Sequence, residues 1–103
     1  MDKRNEGRHA VEMQGRYRVG TGVSRDVVVA DLSRHGCKFF DRYSNLSDGD
    51  RVSLRVGSIG PIEANVIWRE GGYVGVRFCH PLHPAVLDHM VVTMDMWTPV
   101  DRP

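Results

Sequence analysis

Between Val52 and Phe78 apolar residues fall on every second position. Val52, Leu54 and Val56 alternate with Ser53 and Arg55; Ile62, Ala64, Val66 and Trp68 repeat the pattern, and Val74, Val76 and Phe78 repeat it again. A period of two gathers these side chains on one face of a strand and leaves the polar residues on the other. Gly57-Ser58-Ile59-Gly60-Pro61 and Glu70-Gly71-Gly72 separate the runs, the second as a tight hairpin. Upstream, Val27-Val28-Val29-Ala30 is a β-branched run, and Cys37-Lys38-Phe39-Phe40 resumes after a polar turn from Asp31 to Gly36. A weaker strand runs from Gln14 to Val19 and breaks at Gly20-Thr21-Gly22; Asn45 to Asp50 reads as a loop. Six short strands with brief turns predict an antiparallel barrel or sandwich, and closing the sheet would remove its exposed edges.

The period then changes. Val86, Met90 and Met94 recur four apart, with Leu87 and Val91 on the same face, after Pro84 in a first helical turn and before Pro99. This predicts one C-terminal helix, laid across an end of the barrel. Residues 1–10 show no apolar period and read as a flexible N-terminal arm. The expected organisation is therefore an arm (1–10), one β domain with its helix (11–97) and a short tail (98–103), within the single domain that 103 residues allow.

Charge narrows the range of partners. The net charge of +1 argues against a DNA track, yet residues 1–25 carry Lys3, Arg4, Arg8, Arg16, Arg18 and Arg25 against Asp2, Glu6 and Glu12, leaving +3. A basic arm on a near-neutral body suits a small anionic ligand. The polar N-terminus has no signal-peptide core, and no apolar run approaches the ~20 residues a membrane span needs, so a cytoplasmic protein is expected. Cys37 and Cys79 each lie in an apolar run, as buried thiols would.

Two short patterns stand out: Arg4-x-x-x-Arg8 in the arm, and Asp31-x-Ser33-x-x-Gly36 between two strong strands. Here the chain resembles the PilZ domain family, whose signature is RxxxR followed, across one strand, by (D/N)xSxxG. Val66-Ile67-Trp68, the Gly71-Gly72 hairpin and Gly75-Val76-Arg77-Phe78 look like that family's penultimate strand, hairpin and last strand. The resemblance implies a six-stranded antiparallel PilZ-type β-barrel with a C-terminal helix, which binds cyclic di-GMP and is not an enzyme. It also implies ligand-binding roles for Arg4, Arg8, Asp31, Ser33 and Gly36, with Arg34 and Trp68 as further candidates.

The chemistry is consistent with this. Arginine offers a planar bidentate fork for a phosphate or for the O6/N7 edge of guanine, and it stacks on a base. A carboxylate accepts from the guanine N1–H and N2–H₂ donors. Ser33 adds a hydroxyl, and Gly36 removes a Cβ where backbone and ligand approach. Each residue has an ordinary alternative: solvated terminal charges for Arg4 and Arg8, a side-chain-closed turn for Asp31 and Ser33, a positive φ for Gly36, and a core aromatic for Trp68. Arg34 and His35 stand where many relatives carry small residues, so they could crowd the site, or Arg34 could add a phosphate contact; Lys3 stands where many carry arginine, which leaves the number of bound ligand molecules open.

Other constellations carry less. His80, His83 and His89 lack a fourth ligand at regular spacing, so no metal site is assigned. No nucleophile context marks an enzyme, and no cofactor is expected. With no room for an output domain, the expected response to ligand is an ordered arm that signals to a separate protein. Two rivals are a PilZ-fold adaptor that binds a motility or pilus protein without nucleotide, and an OB-like barrel on single-stranded nucleic acid. The latter class needs outward aromatic platforms, whereas Phe39, Trp68 and Phe78 are expected on inward rows.

Overall fold

The structure is a computed structural model that describes the backbone of residues 9–97 and the side chains of residues 10–92. Six strands, β1 (His9–Arg18), β2 (Arg25–Leu32), β3 (Gly36–Phe40), β4 (Arg51–Val56), β5 (Ile59–Glu70) and β6 (Tyr73–Phe78), precede one helix, α1 (Pro84–Trp97). Every pairing is antiparallel, and the order β1-β2-β3-β6-β5-β4 closes on itself through β1 against β4. Among the described residues no strand edge is left open, as the short strands require.

The inward rows of the alternation fill this barrel. Val29, Phe39, Val52, Leu54, Val56, Ala64 and Val74 are fully buried, and Val66, Val76 and Phe78 nearly so. Two strands are longer than the sequence indicates. β1 takes His9 and Ala10 from the segment expected to be an arm, pairing them with Leu32 and Asp31. β5 starts at Ile59, so Gly60 and Pro61 belong to a strand instead of a turn. Leu87 and Met90 of α1 join the core, with Val86 and Val91 packed beside them. His83 caps the helix start, its Nδ1 accepting from the Ala85 N–H at 3.0 Å. Both thiols are free; Cys37 is buried, whereas Cys79, just past the end of β6, is half-buried.

A polar cluster ties β1, β2 and the turn after β3 together. The buried Asp41 carboxylate accepts from the Tyr17 hydroxyl (2.9 Å) and from both Nε (2.7 Å) and Nη2 (2.8 Å) of Arg25. The Tyr43 N–H also donates to it at 3.2 Å. With its lone pairs filled this way, a buried carboxylate keeps its charge at tolerable cost. Arg25 holds the carboxyl of Asp41 below the usual range, aided by the Tyr17 hydroxyl. Burial first, then Asp41 itself, pushes the Tyr17 hydroxyl up to about 12.

Candidate functional site

Besides a slip between Ile59 and Ile62 on β5, the strict alternation fails where three strand pairs cross one latitude of the barrel, and these failures share a cause. Between Val29 and Asp31 the β2–β3 register slips by one residue, between Val66 and Trp68 the β5–β6 register does the same, and β1 shifts against β2 between Ala10 and Met13. Each slip is a bulge, which re-aims the side chains beyond it. On β2 it sends Leu32 into the core and turns Asp31 out. On β5 it turns Trp68 out, so the expectation that Trp68 continues the inward row is corrected: its side chain is 38% exposed.

The outward residues form one row across four strands. Asp31 on β2 is paired with Lys38 on β3, Lys38 with Gly75 on β6, and Gly75 with Trp68 on β5. Lys38 Nζ lies 3.3 Å from an Asp31 carboxylate oxygen and 5.0 Å above the Tyr73 ring centroid, an ion pair and a cation–π contact at once. Around the row lies a concavity of about 310 Å³, lined by Asp31, Ser33, His35, Gly36, Lys38, Ile67, Trp68, Gly75 and Arg77 among others. It brings together a carboxylate, a hydroxyl, two cations and an indole on a wall that is otherwise a plain sheet. Such a set offers an acceptor for the N–H edge of a purine, positive charge for phosphates and a π-face for a base.

Four of the residues singled out from sequence therefore line one concavity: Asp31, Ser33, Gly36 and Trp68. Two of them also serve the fold. Ser33 Oγ accepts from the His35 N–H at 3.2 Å and closes the β2–β3 turn. Gly36 lacks a Cβ because one there would overlap the Val76 carbonyl oxygen on β6. Close strand approach is thus a reason for this glycine, and positive φ is not. Arg34 points elsewhere: its Nε donates to the Leu82 carbonyl at 2.9 Å, binding the turn to the segment before α1. Arg4 and Arg8 lie outside the described residues. β1 begins at His9, with Ala10 opposite Asp31, so the first described residues lie beside the row. Lys38, Gly75 and Arg77 were not named as ligand residues from sequence, although Gly75 and Arg77 lie in the run that resembles the family's last strand. Lys38 was legible as an outward position between Cys37 and Phe39, but its alignment with Asp31 depends on the bulge.

The PilZ domain model matches residues 2–92. The chain belongs to the PilZ domain family. Cyclic di-GMP binding is the known role of PilZ domains, which are generally not enzymes. The barrel is similar to the structure of the Bacillus subtilis inhibitor of motility (MotI/DgrA), with a TM-score of 0.66 and 10% sequence identity over 95% of this chain. At that identity the likeness concerns the fold, and this chain spans 54% of the Bacillus chain. A search of curated proteins finds no match. The PilZ barrel explains the six-strand order, while the OB-like alternative loses its footing. Among the described residues no helix is long and apolar enough to cross a membrane.

Proposed function

We propose that this PilZ protein is a bacterial cyclic di-GMP receptor that acts on a separate protein. The observation that carries the reading is that Asp31, Ser33 and Gly36 share a concavity with Trp68, at whose edge the start of β1 pairs through Ala10 with Asp31. Arg4 lies six residues before Ala10, within about 20 Å of it at full extension, so both arginines can reach the concavity. In this reading Asp31 accepts from the N1 and N2 donors of a guanine, Trp68 stacks on a base, and Arg4 and Arg8 hold phosphate or the guanine O6/N7 edge. Lys38 and Arg77 add positive charge, Lys38 after leaving the Asp31 carboxylate. Ser33 supplies a hydroxyl, although it also holds the turn.

A calorimetric titration with cyclic di-GMP, run beside GTP and cyclic di-AMP, tests the reading. Saturable binding of cyclic di-GMP alone is expected, and its absence would leave a PilZ-fold adaptor in its place. Binding by wild type that survives unchanged in the Arg4→Ala/Arg8→Ala double variant would remove the arginines from the site. The signal passes to the partner through the surface that ligand and arm create together. The reading places the protein in the cytoplasm.

A further inference from the structure

Of the outward-facing positions on β6, Tyr73 is half-buried and Arg77 exposed, whereas Gly75 is buried even though it carries no side chain. What covers it is the indole of Trp68, the residue paired with it on β5. A methyl group placed on Gly75 would overlap Cε2 and Nε1 of the indole and come within 2.6 Å of Cζ2. Gly75 has no positive φ, so its backbone is open to any residue. The demand for glycine here is steric, and the three nearest atoms all belong to one side chain.

We propose that Gly75 is a positioning residue for ligand: it lets the Trp68 indole lie across β6 beside Lys38, as the platform on which a base of the ligand stacks. Two features act jointly. The β5 bulge turns Trp68 outward, and the bare Cα of Gly75 provides the floor on which its ring rests. Any side chain at position 75 lifts the ring off the sheet, because the indole is rigid and the sheet beneath it cannot yield. The base-stacking role rests on the receptor reading above; the steric coupling of Gly75 to Trp68 does not.

A double-mutant cycle of wild type, Gly75→Ala, Trp68→Ala and the double variant separates the two. Calorimetry with cyclic di-GMP is expected to show about a tenfold loss of affinity for each single variant, the size of one lost base stack. The double variant should fall within about twofold of Trp68→Ala, because the added methyl has nothing left to displace. Without ligand, Gly75→Ala should shift the Trp68 indole N–H signal and lower Tm, while the double variant melts like Trp68→Ala. Single losses that multiply in the double variant would overturn the proposal, as would a Gly75→Ala protein with unchanged indole signal and affinity. If Gly75→Ala proves too unstable to titrate, removing the indole must restore its fold, and a double variant equally unstable counts against the idea. Failure of wild type to bind cyclic di-GMP would sink the receptor reading, while the indole signal and the melting temperatures still decide the coupling.

Discussion

Two aspartates in this barrel are held by cations in opposite ways, and their consequences differ. Asp31 lines the concavity, half-buried and paired with Lys38, whose charge sits on the flexible stem of any lysine. If it reads the guanine edge, Asp31→Ala should weaken cyclic di-GMP binding by about 1.5 kcal/mol or more, and Asp31→Asn by less, since one acceptor oxygen survives. Cyclic di-AMP, which lacks those donors, should bind far more weakly than cyclic di-GMP to wild type. Calorimetry on the three proteins with both nucleotides checks this; equal binding of the two would mean that only phosphates are read. Asp41 is buried under Tyr17 and gripped bidentately by Arg25, and its role is structural. Its folded pKa is depressed, chiefly by the Arg25 hydrogen bond. Below the unfolded carboxyl value of about 3.9 the unfolded chain takes up the proton first, so stability is lost as pH falls through the folded pKa. Urea midpoints from pH 6 down to pH 2 should therefore drop more steeply for wild type than for Asp41→Asn. Asp41→Ala, which strands the Tyr17 hydroxyl, should cost roughly 1–3 kcal/mol at neutral pH.

At the scale of elements, β3 and β6 show what the sequence discloses and what it withholds. Cys37 and Phe39 inward, Val74, Val76 and Phe78 inward, and the Gly71-Gly72 turn between β5 and β6 were all readable, because period two and turn chemistry are local. The bulges were not readable. A single extra residue such as Ala30 or Ile67 leaves no mark in composition, yet it reverses the facing of all that follows it on the strand. That is why Trp68 looked like a continuation of the row Ile62, Ala64, Val66. It is also why Asp31, expected in a turn, stands at the end of β2. The Arg34 contact was unreadable for a different reason: its partner, the Leu82 carbonyl, is 48 residues away in sequence. Gly36 gives a test at this scale. A Cβ there would meet the Val76 carbonyl oxygen, a backbone atom that moves only with its strand. Gly36→Ala should consequently lower Tm by several degrees without any ligand, in the range of a 1–2 kcal/mol loss for a domain of this size. Thermal melting followed by circular dichroism would show it, and an unchanged Tm would mean that β3 and β6 part more easily than their register suggests.

For the molecule as a whole, closure is what joins ligand binding to stability. The concavity takes residues from β2, β3, β5 and β6, and the start of β1 pairs with Asp31 at its edge. A ligand seated there touches or borders five of six strands, and β1–β4 pairing passes the constraint to the last. With no free edge at which the sheet can open separately, binding should protect the entire barrel and not one hairpin. Linkage sets the size: at free ligand one hundred times Kd, binding to the folded state alone adds about 2.7 kcal/mol. For a chain of this length that corresponds to a Tm rise of roughly 10–15 °C. Each variant is to be compared with its own ligand-free Tm, so that changes in intrinsic stability cancel. Arg4→Ala/Arg8→Ala should lose most of the rise at the same nucleotide concentration, and Lys38→Ala a smaller part, since Lys38 adds charge without a bidentate fork. Hydrogen exchange supplies the second half of the test, because amides of β4, which lines no part of the concavity, should gain protection alongside those of β3 and β6. Protection confined to β3 and β6 would show that the barrel opens locally after all, with the ligand acting on one wall only.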